Sequence, residues 1–336
     1  MPMREPAKHR DDEPELLAVI PCLNEERHLE GVVRNIIDNF SPASFLLVIA
    51  DGGSSDQTPL IAQKLAAQFP NVRYLHNPKR LQSAAVNLAA ATYGRKARWL
   101  LRLDAHADYP KDYCQTLVAE QEATGAAAVV VSMNTVGETG FQRAAAAAQN
   151  SLLGNGGAAH RRVTGTGKWV DHGHHALVCL EAFRVVGGYD ENFSHNEDAE
   201  LDIRLHRAEY KIWLTGKTAL TYYPRAQPHL LFRQYFHFGQ GRARTVVKHR
   251  IVPRLRQMLP LAVAPALLLA PAALISWIAA LPAALWMSIC LAYGLVLGIR
   301  ARRAEIVLAG PAAMLMHLGW SSGFMSGFFA ALRRAT

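Results

Sequence analysis

"VIADGGSSDQT", Val48 to Thr58, is an apolar strand that stops on an acid, two glycines and two serines. Asp51 falls where the apolar run ends, and Gly52 and Gly53 remove side chains, so another group can approach the backbone closely. A helix pattern follows from Gln57 to Phe69. Taken alone, the stretch fits an αβ turn with Asx chemistry as well as it fits a ligand site. The chain repeats this pattern. "LLAVI" (Leu16 to Ile20) precedes a helix pattern over Glu26 to Asn39, and "VRYLH" (Val72 to His76) precedes one over Gln82 to Tyr93. "WLLRL" precedes a helix over Lys111 to Thr124, and "AAAVVVS" reads as a further strand. Continuous apolar strands between helices predict an α/β fold with a parallel sheet covered on both faces. In such sheets ligands bind beyond the carboxyl ends of the strands. Asn24 and Glu25 follow the first strand, Asp51 the second, and Asp104 and His106 the fourth.

The chain has 336 residues, enough for one α/β domain and an appendage. Its 42 residues from Met258 to Ile299 contain no charge. As helix they would measure about 63 Å, and two crossings of a hydrocarbon core need about 60 Å. The expectation is a membrane hairpin turning near Leu281 and Pro282. A third apolar segment, Ile306 to Leu332, could cross, re-enter or lie in the interface. The net charge of +9 is concentrated beside these runs, in "RARTVVKHRIVPRLR" (Arg242 to Arg256) and "IRARRAE". Basic flanks predict a cytoplasmic side and attract anionic lipid headgroups. Without interleaved stacking aromatics they do not suggest a nucleic-acid partner. The charged N-terminus lacks an apolar core for a signal peptide, so the main domain is expected in the cytoplasm. Four scattered cysteines without CxxC spacing fit a reducing compartment. The expected division is a polar tail (1–14), a catalytic domain (15–232), a basic interfacial segment (233–257) and a membrane region of two to three helices (258–332).

No GxGxxG or GxxxxGK[ST] occurs, which weakens dinucleotide and P-loop readings. Acids at strand ends can instead bind a base, ribose hydroxyls, or a divalent ion facing a diphosphate. Four motifs stand in order: "PCLNEE", "ADGGSSDQT", "LRLDAHADYP" and "GGYDENFSHNEDAELDIRL". Together they resemble the inverting family 2 glycosyltransferases of GT-A fold, and within them the ExoA-type succinoglycan glucosyltransferases, which share the DAHA variant and C-terminal membrane helices. The resemblance covers about Leu16 to Arg256, and the membrane tail in outline. It implies nucleotide-sugar binding by Pro21, Asn24, Glu25, Asp51 and Gly53. Asp104 would contact the ribose or a metal, and Asp198 would be the catalytic base with Glu197 supporting it. Arg80 and Arg242 would meet the diphosphate. The implied cofactor is a divalent metal, Mn²⁺ or Mg²⁺, and the implied partners are a UDP-sugar donor and a lipid-linked saccharide acceptor.

The sequence departs from the family pattern in three places. Ala50 replaces the first of two acids at the second strand's end. The usual DxD is Asp104-Ala105-His106, and imidazole suits Mn²⁺ better than Mg²⁺. His106 would bind either the metal or the diphosphate, and Asp108 is a reserve ligand if the segment is extended. The QxxRW motif of processive members is absent, with "RQYFHFGQGRAR" in its place, which favours single addition.

The chemistry asks for such parts independently. Inverting transfer is one in-line displacement at the anomeric carbon, with a base at the acceptor hydroxyl and no protein nucleophile. Glu197 and Asp198 open a helix pattern and could instead simply complement its dipole. "VDHGHHALVCL" gathers His172, His174 and His175, with spacing that matches no standard zinc pattern. His174, His175, His195 and Asn196 are candidates for the sugar or acceptor pocket. Tyr235, Phe236 and Phe238 beside the basic run suit an interfacial helix, or core packing. Two rivals remain: a polyprenyl-phosphate glycosyltransferase, and a non-catalytic nucleotide-binding membrane subunit.

Overall fold

A computed structural model describes residues 14–40, 45–157, 165–253 and 255–335; apart from its last residue, the expected polar tail lies outside them. The first half alternates β1 (Leu16–Cys22), α1 (Leu29–Asn39), β2 (Phe45–Asp51), α2 (Thr58–Gln68), β3 (Val72–His76), α3 (Gln82–Tyr93), β4 (Trp99–Arg102), α4 (Tyr113–Thr124) and β5 (Ala128–Thr135). Next come α5 (Gly140–Asn150), α6 (Leu152–Asn155), β6 (Lys168–Val170), β7 (His174–Cys179), α7 (Leu180–Val185), α8 (Glu197–Arg207) and β8 (Ile212–Tyr222). The eight strands form one sheet in the order β3-β2-β1-β4-β7-β5-β8-β6.

Alternate residues of β1 and β2 enter two separate cores. Leu16, Ala18, Ile20, Leu47 and Ile49 pack on one face. Leu17, Val19, Val48 and Ala50 pack on the other. Both faces of the sheet are therefore dry, which is why these strands read as continuous apolar runs. Helix α1 covers the first face with Leu29, Val32, Val33 and Ile36, a helical stripe. A capping box between Thr139 and Gln142 starts α5, and Gly125 in the left-handed region ends α4.

The sheet is mixed rather than wholly parallel. β7 runs antiparallel between β4 and β5, and β6 antiparallel to β8. The antiparallel β7 carries a buried apolar run, Ala176 to Val178, like its parallel neighbours, so its direction left no mark in the pattern. The insertion matters for the site: an antiparallel neighbour begins where β4 ends, which brings His174 to the carboxyl edge.

The C-terminal region follows as α9 (Pro228–His249), α10 (Leu255–Met258), α11 (Val263–Leu269), α12 (Leu281–Ala301) and α13 (Ala309–Ala335). The expected two-span hairpin is corrected here. Among the described residues one helix, Trp277–Ala301, is long and apolar enough to cross a membrane. The first half of the charge-free run breaks into short α and 3₁₀ pieces between Leu255 and Ala280. Pro260, Pro265 and Pro271 recur through it, each lacking an N–H and obstructing a continuous helix. Plural spans and a multi-pass topology are therefore not supported. The third apolar segment begins in a 3₁₀ turn (Ala304–Leu308) and continues in α13, which packs along α9. Its Gly319 and Gly323 are so close to Phe232 and Phe236 that an added Cβ would lie 2.6 and 2.0 Å from their carbonyl oxygens.

Candidate active site

The carboxyl ends of β1, β2 and β4 lie at one edge of the sheet, because the three strands are parallel and in register. Their loops are stitched together by side chains. Asn24, at φ 57°, accepts the Ser55 N–H at 2.8 Å through Oδ1, and its own N–H donates to Ser54 Oγ at 2.8 Å. Asp51 is 1% exposed and accepts from the Gly53 N–H at 3.1 Å and the Ser54 hydroxyl at 2.5 Å. The Asx-type turn is thus present, with Asp51 engaged by its own loop. Gly53 has φ +76°, and a Cβ there would lie 3.5 Å from the Arg80 guanidinium. Arg80 therefore covers the glycine loop, while Lys79 pairs with Glu191. Pro21 is paired with Ala50 in the sheet.

Asp104 follows β4. Its Oδ2 lies 3.4 Å from His174 Nε2, and its backbone N–H donates to the Tyr109 hydroxyl at 2.6 Å. Burial would raise the carboxyl's pKa, but the His174 hydrogen bond and the charges of His174, Arg102 and His106 hold it well below the usual carboxylate range. His106 Nδ1 lies 2.9 Å from Glu25 Oε1, and that hydrogen bond raises the imidazole's pKa against the penalty of burial. The segment from Asp104 to His106 is a turn, not an extended strand. Asp108 consequently does not fall in with the two by alternation; its carboxylate accepts from the Tyr223 hydroxyl at 2.7 Å.

The carboxylates Glu197 and Asp198 open α8, after Asn196 at φ 68°. Arg102, at the end of β4 and 6% exposed, holds Asp198 with both arms: Nη1 to Oδ1 at 2.7 Å and Nη2 to Oδ2 at 3.0 Å. The Tyr189 hydroxyl donates to the same Oδ1 at 2.9 Å. Glu197 Oε1 lies 3.6 Å from Arg102 Nη1. Burial and the adjacent Asp198 charge push the Glu197 carboxyl up to about 7, with Arg102 opposing. Arg102 Nη2 also reaches His174 Nδ1 at 3.5 Å. One chain of contacts therefore runs from Asp198 through Arg102 and His174 to Asp104. Sequence reading missed Arg102 and Tyr189. The signal was available in "WLLRL", where one charge interrupts an apolar strand that must be buried.

Asp104, His106, His174, Glu197 and Asp198 line one cavity of about 880 Å³. His195, Asn196 and Arg242 also line it. His195 stacks on His237 with centroids 4.9 Å apart. Burial and the charges of His237, Arg244 and Arg225 lower its pKa to about 4, so its imidazole is neutral at physiological pH. Asn196 Nδ2 donates to Thr245 Oγ1 at 3.0 Å, and Arg242 Nη2 to Gln257 Oε1 at 2.9 Å. His175 sits on β7 opposite Val130, and its side chain lies outside the described residues. Pro21, Asn24, Glu25, Asp51, Gly53 and Arg80 do not line the cavity; they form the adjoining strand-end loops, connected to it by the Glu25–His106 pair.

Among the described residues the histidine-rich stretch is not grouped as a metal centre. His172 donates to Asp202 at 2.6 Å, whereas His174 serves Asp104 and Arg102. Among the described residues no three His, Cys, Asp or Glu side chains are grouped to hold an ion. At Asp104 and His106 the protein offers an ionised carboxylate and an imidazole. That set fits a first-row divalent ion only if phosphate oxygens complete its shell.

Comparison with known proteins agrees with this architecture. Residues 17–187 match the family model of glycosyl transferase family 2. The chain is 54% identical over 309 residues to the succinoglycan biosynthesis protein ExoA of Rhizobium meliloti (strain 1021), covering 92% of this chain and 93% of that one. Among solved structures, the mannosyltransferase PcManGT of Pyrobaculum calidifontis, in complex with GDP-Man and Mn²⁺, superposes with a TM-score of 0.59 at 18% identity, over 91% of this chain and 87% of that one. GalNAc-T7 with UDP, GalNAc and Mn²⁺ gives a TM-score of 0.51 at 14% identity, over 70% and 48%.

Proposed function

The chain belongs to glycosyl transferase family 2, and from this premise we propose that it moves a hexose, glucose first among the candidates, from a UDP-sugar to a lipid-linked saccharide in the assembly of a succinoglycan-type exopolysaccharide. The observation that carries the reading is that two halves line one cavity, linked through Arg102 and His174: Asp104 and His106, and the carboxylates Glu197 and Asp198. The first half suits the diphosphate of a donor, the second the hydroxyl of an acceptor.

The nucleoside end is assigned to Pro21, Asn24, Glu25, Asp51 and Gly53, with Arg80 and Arg242 facing phosphate. A divalent ion held by Asp104 and His106 would neutralise charge on the leaving diphosphate. The base is the Glu197–Asp198 pair. Arg102 and Tyr189 hold the Asp198 carboxylate in place, and Glu197 beside it ionises near neutral pH. Coupled carboxylates titrate as a unit, so proton acceptance belongs to the pair. A positioned base with a pKa near the working pH contributes about 10²–10⁴ in rate.

Trp277–Ala301 attaches the chain to the membrane, with the catalytic domain on the cytoplasmic face. Anchoring beside a lipid-linked acceptor raises its effective concentration.

Thermal stability of the detergent-purified chain with UDP, UDP-glucose or GDP, each with Mn²⁺, Mg²⁺ or EDTA, tests the donor half. A ligand at 100 times its Kd stabilises by about 2.7 kcal/mol. UDP species with metal are expected to stabilise, and His106→Ala to abolish any preference for Mn²⁺. A preference for GDP would move the donor to a mannosyl type. No shift with any nucleotide would sink the reading in favour of a non-catalytic subunit.

A further inference from the structure

The lining of the cavity also draws on α5, α9 and α13, and three of its side chains there carry buried polar atoms with no protein partner. Gln149 on α5 is 2% exposed, and its Oε1 is unpaired. Gln234 on α9 donates from Nε2 to the Tyr222 hydroxyl at 2.7 Å, but its Oε1 is unpaired. Trp320 on α13 has a buried Nε1–H without an acceptor. All three side chains line the cavity. Buried polar groups are satisfied in the great majority of cases, so three orphans around one hollow mark a ligand surface.

The chemistry of the three groups is neutral and mixed. Two amide oxygens call for donors, and one indole N–H calls for an acceptor. A sugar hydroxyl is both at once. An ionised phosphate offers only acceptors and would leave the amide oxygens unpaired. Phe238, the Trp320 ring and Met316 add apolar surface to the lining. Such surface suits the C–H face of a sugar ring. His317, one helical turn before Trp320 and three residues away, is already satisfied: Nε2 donates to the Leu153 carbonyl at 2.8 Å, and Nδ1 accepts from Trp286 at 3.2 Å. It braces this end of the cavity.

We propose that Gln149, Gln234 and Trp320 form the binding site for the acceptor's sugar ring, so that the C-terminal helix α13 is part of the acceptor site. The assignment rests on the sugar-transfer reading of the cavity and adds its location and ligand chemistry. The tight packing of α13 on α9 fixes the Trp320 backbone against Gly239, on the helix that carries Gln234.

The test uses the full chain in nonionic detergent, with undecyl glucoside, undecyl galactoside and undecyl phosphate as probes and thermal shift as readout. The hexosides should bind saturably to the wild type, and at least one should bind about tenfold more tightly than the phosphate. Gln149→Met and Trp320→Phe should each weaken hexoside binding about tenfold while leaving UDP affinity within twofold. Gln234→Met serves if Gln149→Met does not fold, and retained UDP binding shows that a variant is folded. Unchanged hexoside affinity in the variants, no hexoside binding, or a preference for undecyl phosphate would each overturn the assignment. Failure of the sugar-transfer reading would be distinct: the wild type would then show no UDP binding at all.

Discussion

At the end of β4 a single guanidinium joins the two halves of the site. Arg102 is buried with Asp198 in a two-pronged contact, and its charge also lowers the Glu197 and Asp104 carboxyls. Removing one member of a buried ion pair leaves the other uncompensated and costs about 3–5 kcal/mol. Arg102→Ala should therefore lower the melting temperature markedly. Arg102→Lys, which keeps charge but loses the fork, should retain more stability than activity. Equal melting temperatures for wild type and Arg102→Ala would remove the pair from the stability account. Asp198→Asn should keep UDP affinity within a few-fold and reduce transfer by about 10² or more. Near-wild-type transfer by that variant would exclude it from the base. The pH profile separates the partners. Glu197 is protonated below about 7, so wild-type transfer should decline as pH drops through 7. In Glu197→Gln the acid limb should move toward the ordinary carboxylate range. A limb still near 7 in that variant would assign it to another group.

Helices α9 and α13 meet through backbone rather than side chains. Gly319, Gly323 and Gly327 recur every four residues on α13, against Phe232, Phe236 and Gln240, which recur at the same interval on α9. Gly239 reciprocates, with a Cβ there only 2.3 Å from the Trp320 carbonyl. Small residues spaced by four allow this approach and interlock the ridges of both helices. Even Gly323→Ala must push the helices apart, and overpacking of this kind costs about 1–3 kcal/mol. The expected result is a lower melting temperature, read in detergent. No change would mean that the two helices are not in close contact. Helix α9 is pinned on its other side by Glu200 of α8, fully buried and bonded to Arg204, Lys248 and His249. The α8 helix that carries the carboxylate pair is thus tied to the helix that carries Gln234.

On the scale of the whole molecule, exposed apolar surface is confined largely to one end. Leu274 and Ile275 are 96% and 93% exposed, and Leu285, Leu291, Leu295 and Ile299 point outward along α12. A contiguous patch of this kind calls for a membrane or a partner. Arg300, Arg302 and Arg303 close this apolar stretch with positive charge, which suits anionic lipid headgroups. A lysine set into the bilayer's apolar layer is costly, so Leu291→Lys should be retained less in the membrane pellet than the wild type. Equal retention would mean that α12 is not buried in the membrane.

The sequence by itself determined what depends on near neighbours. Strand–helix alternation, the two dry faces of the sheet and the loop at Asp51 all follow from periodicities and turn residues within a few positions. The order of the motifs sufficed to place Asp104, His106, Glu197 and Asp198 in one family pattern. Tertiary structure decided what depends on distant partners. Arg102 and Asp198 are 96 residues apart, and Tyr223 and Asp108 are 115 apart. Gln149, Gln234 and Trp320 meet only because α5, α9 and α13 converge. The membrane run shows the same division. Counting apolar residues predicts two spans, but prolines break the first half. Helix α13 finds α9 through a glycine stripe whose counterpart lies elsewhere in the chain. Composition records what a segment avoids, namely water. Which surface it buries against is fixed by shape and charge complementarity between segments that are distant along the chain.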